Sequence, residues 1–343
     1  MKLLIITQKI DERDPVLGFF VNWVARFAER FERTTVICLE RGKHHLPSAI
    51  KVLSLGKESG RSRLKYLWRF YKYIWQERKN YDAVFVHMNQ EYVLLGWKFW
   101  KLFGKKIFLW RNHPAGSWRT DLAVWFCDKV FCTSRFSYTA RFRKTVLMPV
   151  GVDLEIFKPN PSIQKIPHSI LFLARLAPVK RPDLLLRALA ILRERGIDFT
   201  ANFYGDALPA DAAYAQSLRT QAAAGLSGAV HFFPAVPNNQ TPALYRRHEI
   251  FVNLSPSGMF DKTIFEAAAC GTLALNSNQN LRDQWDERLL FCENDASDLA
   301  DRLALLLALP DEEYRQLAAG ILDQVSTEHS LARLIQELHA KLV

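Results

Sequence analysis

Apolar and polar residues alternate along the first half of the chain in a way that predicts short strands separated by helices. Leu3–Thr7 is an apolar run typical of a buried strand, and Phe19–Phe31 has helical spacing. Strands that alternate with helices favour a parallel sheet covered by helices on both faces. The other predicted strands are Thr35–Leu39, Lys51–Leu55, Tyr81–Val86, Lys106–Trp110, Lys129–Thr133 and Val146–Pro149, with helices at Arg61–Lys79 and Glu91–Phe103 and a further apolar segment at Ala123–Phe126.

The second half repeats this alternation after Val150–Pro167, a segment with three prolines and little periodicity. The pattern predicts an N-terminal domain over residues 1–155, a linker over 156–167, a C-terminal domain over 168–326 and a final helix within 327–343. The predicted strands of the second half are Ile170–Ala174, Asp198–Tyr204, Val230–Phe233, Phe251–Leu254 and Leu273–Leu275. Its predicted helices are Pro182–Arg195, Ala210–Ala224, Thr241–Arg247, Thr263–Cys270, Ser297–Ala308, Glu312–Ser326 and Leu331–Val343.

The stretch Phe251–Leu275 reads as strand, loop, helix and strand. Such a loop brings the amide end of a helix to the carboxyl end of a parallel strand, where α/β sheets bind anionic ligands. Glu266 lies one turn into this helix among apolar residues, so its charge must be paired or face a ligand. A ribose diol would suit it, since a carboxylate accepts two adjacent hydroxyl donors. A satisfied buried carboxylate is the alternative.

Two cations flank the turn between strand Ile170–Ala174 and the helix that Pro182 begins. Arg175 and Lys180 in this position suit a diphosphate, although ordinary surface cations would look the same. After the next strand, Gly205 would let a ligand approach the backbone, but a simple turn explains it equally well.

In the first half, Gly18 precedes a helix and could admit a phosphate or sugar, or simply cap the helix. His87 and His113 each follow a predicted strand. A lone histidine is more often structural than functional, so the sequence alone does not decide whether either histidine is a functional residue.

Composition and charge narrow the class of protein. The chain has 343 residues and a net charge of +11. Met1–Val150 contains 28 Lys and Arg against 12 Asp and Glu, which gives +16, whereas the remainder gives −5. This asymmetry indicates an anionic partner for the first half.

Several features are missing from the sequence. There is no Asp-x-Asp, no metal-ligand spacing, no Walker A motif and no Gly-x-Gly-x-x-Gly, so kinases, ATPases and dinucleotide enzymes are disfavoured. We expect no cofactor and no metal. No apolar run is long enough for a membrane span, and the start lacks the core of a signal peptide. The five cysteines include no Cys-x-x-Cys, which is typical of reduced thiols in a cytoplasmic protein.

With these residues in hand, the chain resembles the family 4 glycosyltransferases, retaining enzymes of the GT-B fold. The resemblance spans nearly the full length. It is carried by LFLARLAPVKRPDLLLRAL, the FYGDAL turn, FVNLSPSGMFDKTIFEAAACG, the PVGVDLEIF junction and the early DPVLGFF loop. It implies two Rossmann-like domains whose parallel sheets face a cleft, with the final helix packing back on the N-terminal domain.

The family's site carries over residue by residue. The resemblance implies that Arg175 and Lys180 hold the diphosphate of a nucleotide-sugar donor and that Glu266 holds its ribose. It also implies that His113 lies beside the transferred sugar and that the Gly18 loop closes on donor and acceptor.

One departure concerns the family's Glu-x7-Glu motif, whose first Glu is replaced here by Gly258. The following residues form a Phe-Asp-Lys-Thr loop that resembles a variant of the family. We hypothesise that this loop compensates, with Asp261 accepting a sugar hydroxyl, Lys262 adding a cation near the diphosphate, and Thr263 starting the donor-binding helix. The alternative is that Asp261 simply caps the helix.

The function that this resemblance implies is metal-independent transfer of a hexosyl group from a nucleotide diphosphate sugar to a hydroxyl, with retention of configuration. The acceptor would be a polysaccharide or a lipid-linked molecule in bacterial surface polysaccharide or glycolipid synthesis. A sugar-nucleotide epimerase of similar fold is the alternative among enzymes. A protein that binds anions or nucleic acid through the basic half is disfavoured, because its aromatics follow helical spacing rather than an RNA-binding motif.

The basic half also suggests a location. The segment Arg61–Lys79 combines aromatic and basic residues at helical spacing, with Leu64, Leu67, Trp68, Tyr71, Ile74 and Trp75 on one face. We expect a cytoplasmic protein and hypothesise that it docks peripherally on an anionic membrane surface. The alternative is that Trp68 and Trp75 are core residues.

Overall fold

The computed structural model describes residues 1–14, 16–258 and 260–343. The chain forms two compact units. The first consists of Met1–Gly151 together with Leu331–Val343, and the second of Val152–Ser330. Pro15 of the DPVLGFF loop and Met259 of the Gly258 loop lie outside the described residues.

Within the described residues, the first unit has one sheet of seven parallel strands in the order β3-β2-β1-β4-β5-β6-β7. The order reverses between β1 and β4, which are neighbours although two strands separate them in sequence. The strands are β1 (Lys2–Ile10), β2 (Arg33–Arg41), β3 (Lys51–Ser54), β4 (Ala83–His87), β5 (Lys106–Trp110), β6 (Lys129–Cys132) and β7 (Thr145–Leu147), and the first four helices are α1 (Phe19–Ala28), α2 (Arg63–Glu77), α3 (Gln90–Leu102) and α4 (Trp118–Phe126).

Helices cover both faces of this sheet, which explains why Leu3–Ile6 is continuously apolar and fully buried. Leu3 and Ile5 point into the core formed with α1. Leu4 and Ile6 point into the opposite core, formed with α2, α3 and α4. The segment Ala123–Phe126 continues the alternation as the last part of α4.

The second unit, in the part that the structure describes, has a sheet of five parallel strands in the order β10-β9-β8-β11-β12. The order reverses between β8 and β11. The strands are β8 (Ser169–Leu173), β9 (Thr200–Tyr204), β10 (Val230–Phe233), β11 (Ile250–Asn253) and β12 (Leu273–Asn276), and the helices are α5 (Pro182–Glu194), α6 (Ala212–Gly225), α7 (Thr241–Arg247), α8 (Lys262–Ala269), α9 (Ala296–Leu307) and α10 (Asp311–Glu328). The prediction of an α/β chain with two parallel sheets is confirmed.

The last helix, α11 (Leu331–Leu342), returns to the first unit. Its apolar stripe lies in the same core as Phe20, Trp23 and Phe27 of α1. The buried residues of the stripe are Leu331, Leu334, Ile335, Leu338 and Leu342.

Among the residues that the structure describes, no helix is both long and apolar enough to cross a lipid bilayer. All five cysteines are free. Cys292 is exposed, and the other four are buried.

We expect Leu334→Ala to destabilise the first unit by ~2–5 kcal/mol, because Leu334 is fully buried between α11 and α1 and its removal leaves a cavity. The measurement is urea unfolding followed by circular dichroism. Leu305→Ala, which truncates a leucine that is 39% exposed on α9, is the control and should leave the free energy of unfolding nearly unchanged. Equal effects of the two substitutions would contradict the assignment of α11 to this core.

Candidate functional site

The reversal of strand order in the second unit marks a candidate site. The loops that follow β8 and β11 leave neighbouring strand ends, and in open α/β sheets ligands bind where connections diverge in this way. Arg175 and Lys180 lie in the first loop, Ser255 and Asp261 lie in the second, and α8 starts directly after it. The sequence-predicted residues of the second half therefore gather at one edge of this sheet.

An ion pair joins the two loops. Lys180 Nζ donates to Asp261 Oδ2 at 2.6 Å and to Ser255 Oγ at 2.8 Å. The Ser255 hydroxyl in turn donates to Asp261 Oδ2 at 2.7 Å. Both charged side chains are largely shielded from solvent, with 19% of Lys180 and 15% of Asp261 exposed. The predicted cation thus has a protein carboxylate as its partner in this structure.

Asp261 also caps α8. Its Oδ1 accepts from the Thr263 amide at 3.2 Å and from the Thr263 hydroxyl at 2.9 Å. Burial by itself would raise the pKa of Asp261, but the Lys180 charge and the hydrogen bonds from Lys180, Ser255 and Thr263 hold it well below its usual range. Asp261 is therefore a charged residue with three partners, and the capping alternative describes part of its role.

Asn253 at the end of β11 holds the loop from the other side. Its amide Nδ2 donates to Thr263 Oγ1 at 3.0 Å, and its Oδ1 accepts from the Ser255 amide at 3.0 Å. Asn253 and Ser255 are not among the residues predicted from the sequence. The available signal was a pair of polar residues at the carboxyl end of a buried strand, and both are in fact buried.

Glu266 is 2% exposed on the second turn of α8. Burial raises its pKa to about 7, against the opposing effects of the Lys262 charge and of nearby Asn238 and Tyr245. Within the described part of the chain, the Tyr245 hydroxyl is buried without a hydrogen-bond partner of normal geometry. A carboxyl group that is half protonated near neutral pH is poised to gain from hydroxyl donors, as a diol would supply.

Lys262 lies four residues before Glu266 on the same helix and is half-buried. Burial lowers its pKa to about 8, while the charges of Glu266 and Asp153 oppose that effect. Lys262 and Glu266 therefore form an electrostatically coupled pair on α8.

Arg175 differs from Lys180. Its side chain is exposed, and among residues 1–14, 16–258 and 260–343 its guanidinium has no hydrogen-bond or ion-pair partner. Of the two predicted cations, Arg175 is available to a ligand and Lys180 is held by Asp261.

Gly205 is required by the protein itself. A Cβ at this position would lie 1.9 Å from the carbonyl oxygen of Ala174, because the loops after β8 and β9 touch there. The close approach that its sequence context suggested is thus made by the neighbouring loop. Its part in donor binding remains a prediction.

Gly18 in the first unit is also explained by a close contact with the backbone. A Cβ would lie 2.6 Å from the Asp14 carbonyl oxygen, and the Gly18 amide donates to that oxygen at 3.0 Å. The Asp14 side chain accepts from the Val16 and Leu17 amides and pairs with Lys9 at 3.1 Å. The described residues of the loop before α1 are therefore held by hydrogen bonds within the loop and by the ion pair to Lys9.

The two histidines lie in contrasting surroundings. His87 at the end of β4 is 1% exposed, stacks on Phe20 at 3.8 Å between ring centroids, and lies 3.2 Å from Thr7 Oγ1 through Nδ1. Burial lowers the pKa of His87 to about 3, so it is neutral at pH 7. His113 is exposed in the loop after β5, with Nδ1 3.0 Å from the Ala115 amide. His87 is a packing residue, and His113 is the accessible one.

The described residues contain no group of three or more His, Cys, Asp or Glu side chains arranged to hold a metal ion. The charges near the candidate site come instead from Arg175, Lys180, Lys262, Asp261 and Glu266.

Comparison with known proteins gives a family match for part of the chain. Residues 167–308 match the family model described as glycosyl transferases group 1. This range includes β8 to α9 and contains Arg175, Lys180, Asp261 and Glu266. The resemblance inferred from the sequence motifs is confirmed at the level of this family.

Curated relatives match part of the chain. D-inositol 3-phosphate glycosyltransferase of Frankia alni is 32% identical over 197 residues, which cover 52% of this chain and 47% of that protein. The protein of the same name from Mycolicibacterium smegmatis is 33% identical over 143 residues, which cover 38% of this chain and 31% of that protein. The match thus spans less than half the length of either relative.

Solved structures match the full chain. HepE from Anabaena, in complex with UDP and glucose, superposes with a TM-score of 0.79 at 19% identity and covers 100% of this chain and 99% of that one. Sucrose-phosphate synthase from Thermosynechococcus elongatus superposes with a TM-score of 0.76 at 16% identity, over 99% and 98% of the two chains. These likenesses confirm the GT-B fold predicted from the sequence.

The raised pKa of Glu266 predicts a pH-dependent stability. Between about pH 4.5 and 7 the folded protein binds more protons at this site than the unfolded chain, so the free energy of unfolding should fall as pH rises through that window. Glu266→Gln cannot ionise and should lose this fall, which makes it more stable than the wild type at pH 8. Urea unfolding at several pH values measures the difference.

Glu194→Gln is the control, since Glu194 is exposed at the end of α5. It should retain the wild-type pH dependence. If Glu266→Gln and wild type show parallel curves, Glu266 does not titrate as its burial indicates.

Proposed function

We propose that the protein transfers a hexosyl group from a nucleotide diphosphate sugar to a hydroxyl acceptor, with retention of configuration. The premise is that residues 167–308 match the family model of the group 1 glycosyltransferases. The observation that carries the proposal is the junction of β8, β11 and α8. There, the ion pair of Lys180 and Asp261 lies at the amino terminus of α8, and Arg175 lies in the same loop as Lys180. Glu266 is buried one turn further along the helix.

The diphosphate end of the donor would meet Arg175, Lys180 and the amino terminus of α8. Departure of a nucleoside diphosphate develops negative charge, which preorganised cations and amides stabilise. The guanidinium of Arg175 would bind the diphosphate without competing with a protein carboxylate. Lys180 would contribute as the diphosphate competes with Asp261 for its ammonium group.

The ribose end would meet Glu266. A carboxylate accepts two adjacent hydroxyl donors, and those hydrogen bonds would favour the charged form of a group whose pKa burial raises to about 7. Uridine is the first nucleoside to test, because the structurally similar HepE was solved with UDP.

The transfer step is proposed to proceed without a metal and by front-face displacement. The chain has no Asp-x-Asp motif, and Arg175 and Lys180 would supply the positive charge that a leaving diphosphate needs. The exposed His113 is proposed to lie beside the transferred sugar, as the family resemblance implies. The Gly18 loop is proposed to contribute to donor and acceptor binding.

The acceptor is proposed to be a polysaccharide or a lipid-linked alcohol in bacterial surface polysaccharide or glycolipid synthesis. The curated relatives are named for inositol 3-phosphate, so that phosphorylated alcohol belongs in the acceptor screen. Because Met1–Val150 carries a charge of +16, acceptors that bear a phosphate or diphosphate are favoured over neutral ones.

The direct test is a screen of nucleotide sugars for thermal stabilisation and for sugar release, followed by transfer to candidate acceptors. Arg175→Ala should lower the rate with saturating donor by ~2–4 kcal/mol of transition-state stabilisation, as the loss of a charge-stabilising donor does. Arg175 is the sharper test, because its removal leaves no buried partner unpaired, whereas Lys180→Ala strands Asp261.

Arg193→Ala removes an exposed arginine of α5 and should have wild-type kinetics. Unchanged turnover in both Arg175→Ala and Lys180→Ala would disprove the donor site. Conversion of the nucleotide sugar to an isomer without any acceptor would replace sugar transfer with epimerisation.

Asp261 is proposed as a positioning residue that aims Lys180. Asp261→Asn should retain the cap of α8, since Asn is also a good capping residue, but lose the ion pair. Removing the negative charge should lower the Kd for UDP, while the released Lys180 should lower kcat. A residue that merely caps the helix would move neither value.

Calorimetric titration with UDP and steady-state kinetics measure the two quantities separately. Lys262→Met is the comparison, because it removes a neighbouring charge without touching the Lys180 pair, and as a proposed diphosphate ligand it should weaken UDP binding. Opposite shifts in UDP affinity for the two variants support the arrangement, and weaker UDP binding in Asp261→Asn would contradict it.

A further inference from the structure

The three helices α2, α3 and α4 lie side by side on one face of the first unit's sheet, and their outward surface is unusually apolar. Their inward residues, such as Phe70, Ile74 and Trp100, fill the core. Their outward residues include large side chains that are exposed. These are Leu64 (81%), Trp68 (61%), Trp75 (52%), Leu102 (78%), Trp118 (68%) and Trp125 (72%). We call this surface the aromatic face.

On α2 the exposed apolar residues form a stripe of their own. Leu64, Trp68 and Trp75 are spaced four and eleven residues from the first, which places them within one narrow sector of the helix. The buried Phe70 and Ile74 lie on a different sector. Trp68 and Trp75 are therefore not core residues, and the alternative left open by the sequence is wrong.

The stripe continues across the neighbouring helices through ring contacts. Trp75 lies 5.7 Å from Phe103, and Tyr71 lies 5.3 Å from Phe99, between ring centroids. On the other side of α3, Trp97 stacks on Phe126 at 3.8 Å. Trp125 then lies 5.1 Å from Phe126. Ring contacts thus join α2 to α3 and α3 to α4 along this side of the unit.

Cations surround these aromatic rings. Lys72 lies 4.7 Å above the Trp68 ring and Arg78 lies 4.4 Å above Trp75. Lys98 lies 5.6 Å from Trp97 and Arg119 lies 5.5 Å from Trp118. Each tryptophan on this surface except Trp125 therefore carries a positive charge close to its ring.

The acidic residues of the three helices do little to offset these charges. Glu77 is buried and pairs with Lys51 at 2.6 Å, and Asp121 pairs with Arg141 at 2.7 Å. Glu91 is exposed at the start of α3. The aromatic face therefore keeps the positive sign of the first half of the chain.

We propose that the aromatic face docks on the surface of an anionic lipid bilayer. Tryptophan is favoured at the boundary between headgroups and acyl chains, where its ring is partly desolvated while its N–H stays near water. Lysine and arginine beside it gain from the negative potential of anionic lipids. Exposed leucines between them add the apolar area that interfacial binding requires.

Two other partners of the aromatic face are a second copy of the chain and a single-stranded nucleic acid, and both fit its charge and side chains less well than a bilayer does. A second copy would bring two positively charged faces together in a symmetric contact, which is repulsive. A single-stranded nucleic acid would match the charge and stack on the rings, but Leu64 and Leu102 would gain nothing from it. The bilayer uses the aromatic, aliphatic and basic residues together. This docking is independent of sugar transfer and does not rest on the proposed function.

Flotation of the full-length protein with vesicles tests the proposal. The protein should float with vesicles of phosphatidylcholine and phosphatidylglycerol and stay behind with phosphatidylcholine alone, and the bound fraction should fall as salt is added. Trp68→Ala combined with Trp75→Ala should weaken partitioning on the order of tenfold or more, since two large exposed rings are lost. Lys65, like Lys72, is an exposed lysine of α2. Lys65→Gln combined with Lys72→Gln should weaken partitioning and flatten its salt dependence.

Leu305→Ala and Arg193→Gln in the second unit are the matched controls and should float like the wild type. Because the substituted side chains of the face are exposed, thermal unfolding should be unchanged, and so should UDP binding in solution. Loss of flotation with intact UDP binding would therefore separate docking from the donor site.

Several outcomes would overturn the proposal. These are equal behaviour with both vesicle types, undiminished flotation of the double tryptophan variant, and binding that salt does not affect. A dimer in sedimentation velocity that the tryptophan substitutions abolish would assign the face to a second copy. Preferential binding of single-stranded oligonucleotides that displaces the vesicles would assign it to nucleic acid.

Discussion

The ion pair between Lys180 and Asp261 is the contact on which the candidate site depends. It joins the loop after β8 to the first residue before α8, across 81 positions of sequence. Burying both charges is costly unless every lone pair and proton is used, and Asp261 meets that condition by accepting from Lys180, Ser255 and Thr263. One carboxylate thereby fixes the helix start, the loop and the cation together. A diphosphate that binds here must compete for an ammonium group that is already paired.

The chemistry then changes along α8. Asp261 and Glu266 are five residues apart, which is ~7.5 Å along a helix axis. At the amino terminus, cations and amides favour an anion. One turn later, Glu266 is a buried carboxyl whose pKa burial raises, so it gains from hydroxyl donors rather than from a further charge. This order suits a ligand with a charged group at one end and a diol at the other, which is the arrangement of a nucleoside diphosphate.

Much of the fold could be predicted from the sequence, because the periodicity that marks a strand or a helix is a property of neighbouring residues in the chain. Lys106–Trp110, Val230–Phe233 and Thr241–Arg247 have the predicted bounds. Buried strands between helices leave continuous apolar runs, and Ile107–Trp110 is such a run. The partner of Lys180 was not predictable, because it depends on which strand ends become neighbours. The glycines show the same limit. Gly205 reads as a place for a ligand, yet the atom it accommodates is the Ala174 carbonyl oxygen.

The helix α2 shows that hydrophobic periodicity alone does not determine which face of a helix is buried. A stripe of Leu64, Trp68 and Trp75 has the spacing of a core-facing helix, and the sequence cannot say whether such a stripe meets a sheet or solvent. In the structure, Phe70 and Ile74 occupy the sector of α2 that faces the sheet, and Trp68 and Trp75 are exposed. An exposed tryptophan costs solubility and stabilises no core. When cations lie over the exposed rings of Trp68 and Trp75 and the surrounding half of the chain is strongly positive, the surface matches a partner that is both apolar and anionic.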